Sequence, residues 1–204
     1  MTSVDKILQF WFEGITDQTP IDKHALPFRK WFAKDERLDA EIKETFEAQL
    51  LLTRGGQCRE WENSPRGRLA LIILFDQFSR NMYRGTAKMF DTDSLALELS
   101  LRSIEEKIDG EWQLIERIFL YMPLMHSEDL DIQKLSVRCF EKLAGEARHK
   151  FPQNVSYYES NLLYAQKHCS IIEQCGRFPH RNILLTRMST PEESAFLING
   201  KGIF

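Results

Sequence analysis

Three short polar segments stand out in this 204-residue chain, because helix packing alone does not call for the residues they contain. The first is Asp76-Gln77-Phe78-Ser79-Arg80-Asn81-Met82-Tyr83-Arg84, which follows directly on the apolar run Leu69 to Phe75. A helix that is apolar all round is buried on every side, so its continuation must carry Asp76, Arg80 and Asn81 towards the core. Asp76 and Arg80 lie one helical turn apart, and Arg84 a turn further. A buried carboxylate and guanidinium have to be paired whether or not they do chemistry. The segment therefore reads in two ways. It is an Asp-Arg lock between helices, or it is the floor of a polar pocket whose arginines donate to a carboxylate or phosphate.

The second segment is His126-Ser127-Glu128-Asp129. Ser127 as an N-cap with two acids in the first turn is what a helix dipole favours, so capping accounts for three of these residues. His126 is left over, as a hydrogen-bonded connector or as an acid-base group titrating near neutrality. In the third segment, Gly176-Arg177-Phe178-Pro179-His180-Arg181-Asn182, Gly176 suits a helix end and Pro179 a helix start. Arg177, His180 and Arg181 then crowd cationic side chains around the positive end of a helix. Such a conflict needs an anion nearby. It can come from the chain's own Asp76, Glu128 or Asp129, or from a ligand held by arginines and helix N–H groups. His168, eight residues before Gly176, can face the same space. A metal would have to draw on His126, Glu128, His168 and His180, but no ligand pair has diagnostic spacing, so no metal site is expected.

The elements that must position these groups are helices. Gly and Pro are scarce, 10 and 7 residues, and no alternating strand pattern bounded by turn signals appears. The spacing predicts helices over Val4 to Phe12, Glu36 to Arg54 with Asp35 as N-cap, and Arg66 to about Met82 behind Ser64-Pro65. Between the first two, a loop with Pro20 and Pro27 leads to Trp31-Phe32. Further helices are expected from about Asp93 to Ile108 and from Glu111 to Met122, where Pro123 should force an end. Others run from the Ser127 cap to about Lys150 and from Val155 to Cys175, with a short one after Pro179. Thr190-Pro191-Glu192-Glu193 combines a capping box with Pro at the first helical position and opens a last short helix. The expected fold class is all-α, antiparallel helix pairs in a single domain over residues 1–204.

Charge and composition narrow the function classes. The formal net charge is −3, which disfavours a nucleic-acid surface, and Phe10-Trp11-Phe12 reads as core, not as a base-stacking platform. No apolar run approaches the roughly 18–20 residues that span a bilayer, and the N-terminus lacks the features of a secretory signal. Cys58, Cys139, Cys169 and Cys175 form no C-x-x-C pair, which points to a reducing, cytoplasmic compartment. The glycine-rich nucleotide loops, the G-x-S-x-G elbow and the H-E-x-x-H zinc motif are all absent from the sequence, and no motif names a cofactor.

The stretches L-F-D-Q-F-S-R-N-M-Y-R-G-T (Leu74 to Thr86), P-L-M-H-S-E-D-L (Pro123 to Leu130), G-R-F-P-H-R-N (Gly176 to Asn182) and S-T-P-E-E-S-A-F-L (Ser189 to Leu197) together resemble a bacterial family. It is the one catalogued as domain of unknown function 924. The likeness runs from Phe10-Trp11-Phe12 to the C-terminus. It implies an all-α fold of the tetratricopeptide-like superfamily and supplies no reaction. The family's characteristic polar residues map onto Asp76, Gln77, Arg80, Asn81, Arg84, His126, Ser127, Glu128, Arg177, His180, Arg181 and Asn182. Departures include Ser79 where the family usually has proline, Met125 where an acid is usual, Cys175 for an aromatic and Thr186 for a glycine.

Taken together, the residues predict that the three segments converge on a cleft for a small anionic ligand. Arg84, Arg177 and Arg181 would hold the anion, with Arg80, Asn81 and Asn182 in the lining. Asp76 and Glu128 would orient the cations, and His126, His168 or His180 would move a proton. The alternative is a tetratricopeptide-like scaffold that clamps a peptide or protein partner while its polar network serves only structure. Buried arginines fully paired with Asp76 and Glu128 would favour the scaffold. Arginines left pointing into an open pocket would favour the ligand site.

Overall fold

The computed structural model describes residues 3–22 and 26–198, and no strand occurs among them. The helices are α1 (Ser3–Phe12), α2 (Leu26–Phe32), α3 (Glu36–Arg54), α4 (Pro65–Ile72), α5 (Ser79–Met82), α6 (Asp93–Glu105), α7 (Leu114–Met125), α8 (Leu130–Lys150), α9 (Val155–Cys175) and α10 (Pro191–Ile198). The expected all-α class holds. Several starts follow the predicted chemistry: Asp35 accepts from the N–H groups of Arg37 and Leu38, and Ser64 Oγ from Gly67 N. At α10 the capping box is complete, with Glu193 Oε2 accepting from Thr190 N at 2.9 Å and Thr190 Oγ1 from Glu193 N at 3.2 Å.

Other boundaries differ, each for a local reason. The loop expected to lead to Trp31-Phe32 holds a short helix instead, α2, Leu26–Phe32. Helix α6 stops at Glu105, and α7 starts at Leu114 instead of Glu111, where Asp17 from a distant loop accepts from Leu114 N at 2.9 Å and Ile115 N at 2.8 Å. Pro123 does not end α7. It sits in the last turn of a helix buried along its whole length, where packing on every side outweighs one missing donor. Helix α8 is capped by Asp129, which accepts from Asp131 N and Ile132 N; Ser127 instead accepts from Asp129 N within the connecting turn. After Pro179 there is a single 3₁₀ turn, Pro179–Arg181.

The helix predicted over Arg66 to Met82 is continuous but not uniform. Between α4 and α5 the backbone opens into a π-helical stretch, Ile73–Phe78, a wide turn that is rare and concentrates at functional sites. In this stretch the carbonyl of Phe75 accepts from two hydroxyls, Ser79 Oγ at 2.5 Å and Thr92 Oγ1 at 2.6 Å. This stretch presents Asp76 inward, with 0% of its surface exposed.

The core is a continuous cluster of apolar side chains running from α1 to α9. Trp11 sits at its centre, with the rings of Phe78 and Phe119 each 5.5 Å away, so the F-W-F run is core as expected. Burying such rings stabilises the fold by about 1.5–3 kcal/mol each. Helices α7, α8 and α9 follow one another through short connections and pack side by side, which makes neighbours antiparallel. A small second cluster, Ile171, Ile172 and Phe178, anchors the segment after α9. Among the described residues no helix is long and apolar enough to cross a membrane.

Candidate functional site

The π-helical stretch, the turn between α7 and α8 and the segment after α9 meet in space, and their polar residues sort into two groups. In the first, Asp76 is the hub. Its carboxylate accepts from Gln77 Nε2 at 2.6 Å and His126 Nδ1 at 2.7 Å, and Arg80 Nη1 lies 3.1 Å away. Burial works to raise its pKa, but the charge of Arg80 and the bonds from His126 and Gln77 outweigh it and hold Asp76 at about 2. Arg80 in turn forms a two-pronged pair with Asp93 of α6, at 2.8 and 3.0 Å. Arg80 is thus shared by two carboxylates.

Arg181 lies against this group with far less support. Its guanidinium is stacked between two rings, 4.8 Å from the centroid of Phe90 and 4.5 Å from that of Phe178. Of its five N–H donors, one donates to the carbonyl of His126 at 3.0 Å. The nearest paired carboxylate oxygen, on Asp93, is 3.7 Å from Nη1, too long for a hydrogen bond. Nε is buried with no hydrogen-bond partner among the described residues, and the whole residue is only 8% exposed. Burial, followed by the charge of Arg80, pulls the Arg181 pKa down to about 10. It stays charged at neutral pH, paired with Asp93 at 3.7 Å and with Glu128 and Asp76 acting on it from farther off.

Three imidazoles surround it. The rings of His126 and His168 are 6.4 Å apart, and Phe178 lies 5.5 Å from both His168 and His180. Burial lowers all three pKa values, His168 to about 3 and His180 to about 4, with the Arg80 charge adding to the shift of His126 and the Arg181 charge to that of His180. They are neutral at pH 7. Since the ionised Asp76 can only accept, His126 Nδ1 carries the ring proton and Nε2 is left as an acceptor. His168 Nδ1 likewise donates to the Tyr164 carbonyl, at 2.8 Å.

The second group is saturated. Glu128 accepts from Phe178 N at 2.8 Å and takes a two-pronged pair from Arg187 at 2.7 and 3.0 Å. Arg187 Nε donates to Asn182 Oδ1 at 3.0 Å, and Asn182 Nδ2 donates onward to Ser189 Oγ and to Glu193. Arg177 binds Glu193 through Nε at 2.6 Å and Nη2 at 2.9 Å. Glu193, which also caps α10, is held at about 2 chiefly by Arg177. The crowding of cations predicted around Pro179 is therefore met for Arg177 by the chain's own carboxylate, while Glu128 serves Arg187 and the Phe178 N–H.

Asn81 and Arg84 point elsewhere. Both bind Asp39 of α3, Asn81 Nδ2 at 2.7 Å and Arg84 through Nε at 2.6 Å and Nη2 at 2.9 Å. Asp39, Asp93, Phe90 and Arg187 were not among the residues singled out from sequence. The first two are acids in the first turns of α3 and α6, where the helix dipole already accounts for them. Phe90 and Arg187 carry no local signal. Thr186, where the family usually has glycine, has φ of +53°, in the left-handed region that glycine adopts without strain.

Among the described residues, no group of three or more His, Cys, Asp or Glu side chains is arranged to hold a metal ion. A cavity of about 370 Å³ opens beside Asp17, Trp112, Arg117, Lys142 and Glu146, away from both groups. Around it Arg117 pairs with Glu146, Tyr121 donates to Asp109, and Asp17 caps α7.

The model of a bacterial protein family of unknown function, domain of unknown function 924, matches residues 7–201. The chain belongs to that family. A solved structure, a protein of unknown function, ATU0120, from Agrobacterium tumefaciens, is similar at 32% identity over 97% of each chain, with a TM-score of 0.79. No curated protein matches. Family membership thus agrees with the fold and leaves the chemistry to the geometry above.

Proposed function

We propose that the protein binds a small anion at Arg181, in the space bounded by Arg80, His126, His168 and His180. The observation that carries this reading is the state of Arg181: a buried guanidinium with a single hydrogen bond, an orphaned Nε–H and a second arginine close enough to depress its pKa. Leaving a buried donor unmet costs roughly 1–3 kcal/mol, more for a charged group. An oxyanion at the guanidinium would offset the mutual repulsion of Arg80 and Arg181. The neutral histidines add no competing negative charge. His126, oriented by Asp76, is the imidazole we assign to any proton transfer, while His168 and His180 line the site. Arg177, Glu128 and Asn182 hold the segment in place, and Arg84 and Asn81 tie α3 to the end of α5. The thiol state of all four cysteines supports a cytoplasmic location.

The tetratricopeptide-like scaffold is a second reading, favoured by the antiparallel succession of α7, α8 and α9 and by the saturated Glu128 and Glu193 network. The two part in a thermal-shift titration with inorganic phosphate and small carboxylates at low salt, with Arg181→Met as control. A ligand of the native state raises the melting point as RT ln(1 + [L]/Kd). A rise that grows with concentration and vanishes in the variant supports the anion site; no shift from any anion in the folded wild type rejects it.

A further inference from the structure

The hydrogen-bond polarity of the site restricts which anion it can take. Arg181 and Arg80 offer donors, whereas Asp76 offers only acceptors. Asp76 is a full acceptor that already receives Gln77, His126 and Arg80, so the proton between Asp76 and His126 must sit on His126 Nδ1. The other ring nitrogen, Nε2, is then a lone pair on a side chain that is 18% exposed and within reach of a ligand. The same residue's backbone carbonyl accepts from Arg181 Nη2 at 3.0 Å, which holds the guanidinium against the residue that carries this imidazole. An oxyanion docked on Arg181 therefore has an acceptor beside it. A ligand with only lone pairs would set oxygen against nitrogen there.

Building on the anion site above, we infer that its ligand is an oxyanion carrying a hydroxyl on or beside the anionic group, which donates to His126 Nε2 while Arg181 binds the charge. Hydrogen phosphate has that hydroxyl and sulfate does not. Glycolate has it and acetate does not. The first pair matches in charge at about pH 8, where phosphate is mainly the dianion and still carries one O–H, and the second pair matches at any neutral pH. Each comparison isolates the donor. The pairs also separate a phosphate-type ligand from a hydroxycarboxylate.

The test is calorimetric titration of the intact protein with the four anions at low salt, in wild type and in His126→Phe, alongside nitrogen NMR of histidine-labelled wild type. The expected result is at least about tenfold tighter binding of the hydroxyl-bearing member of one pair, one missing hydrogen bond being worth about that factor. In His126→Phe that ratio should fall towards one while the anion still binds. The NMR spectrum should show His126 Nε2 unprotonated at pH 7 and shifted by the preferred anion. Equal binding within both pairs, or a preference that survives His126→Phe, overturns the inference and leaves the anion site standing. A protonated Nε2 in wild type overturns it without any variant, should His126→Phe fail to fold. No binding of any of the four anions to the folded wild type removes the anion site itself, and the inference with it.

Discussion

Arg177 and Arg181 are four residues apart in one short segment, and they have opposite fates. Arg177 meets Glu193 with two short hydrogen bonds and adds a third to the Met188 carbonyl. Among the described residues Arg181 has one hydrogen bond, a longer ion pair to Asp93 at 3.7 Å, two aromatic faces and a buried donor left over. The saturated network ties the segment after α9 to α10 and to the α7–α8 turn. What it teaches is that neighbouring cations in one motif need not share one role: Arg177 holds the frame through Glu193, while Arg181 stacks between two rings with its Nε–H unmet among the described residues.

The comparison breaks most readily with acid. His126, His168 and His180 have folded pKa values below the ordinary 6.5, so the unfolded chain binds more protons as pH falls below that value. Their neutral-state contribution is complete above about 6.5 and is lost on acidification through about 4 and about 3, at about 1.4 kcal/mol per pH unit per proton. The Glu193 network, held at about 2, should survive until pH falls below about 4. Hydrogen exchange from pH 7 to 4.5 should therefore show the Arg181 side loosening first. A flat melting point over that range would contradict the burial of neutral histidines.

Asp76→Ala should be the most damaging single change, about 3–5 kcal/mol by urea unfolding, since it removes the acceptor common to three buried donors. Glu193→Ala should cost about 2–3 kcal/mol, because Arg177, Asn182 and the N-terminus of α10 lose one shared acceptor. Arg181→Met, which keeps the packing between Phe90 and Phe178, should change stability by less than about 1 kcal/mol or raise it, since replacing a poorly compensated buried charge by an apolar side chain is often neutral or favourable. It should abolish the anion-induced shift. A large loss of stability in Arg181→Met, equal to that of Glu193→Ala, would erase the distinction between the two groups. Smallest of all, Arg84→Ala should cost no more than about 1 kcal/mol, its pair with Asp39 being partly open to water, and should leave anion binding unchanged.

The helices were largely legible in the chain, because their signals are local. Asp35, Ser64 and Thr190 start helices where short polar side chains reach the next N–H groups, and Gly176 with φ of +70° ends α9. Boundaries set by distant groups were not legible. Asp17 caps α7 from nearly one hundred residues away, and Pro123 stays inside α7 because tertiary packing overrides a local breaker. The polar residues set apart by type sit where elements meet, and their partners were hidden. Asp39, Asp93 and Arg187 look like ordinary surface charges until the fold brings them to Arg84, Arg80 and Glu128.

By itself the sequence determined an all-α chain of the 924 family and the three segments in which charge is brought near the core. Periodicity, caps and composition act over a few residues, and that range suffices for both. Which arginine would be neutralised depends on carboxylates arriving from other helices, a through-space quantity that no local pattern encodes. Only the tertiary structure decided that Glu193 goes to Arg177, Asp39 to Arg84 and Asp93 mainly to Arg80, leaving Arg181 between two rings with its Nε–H unmet.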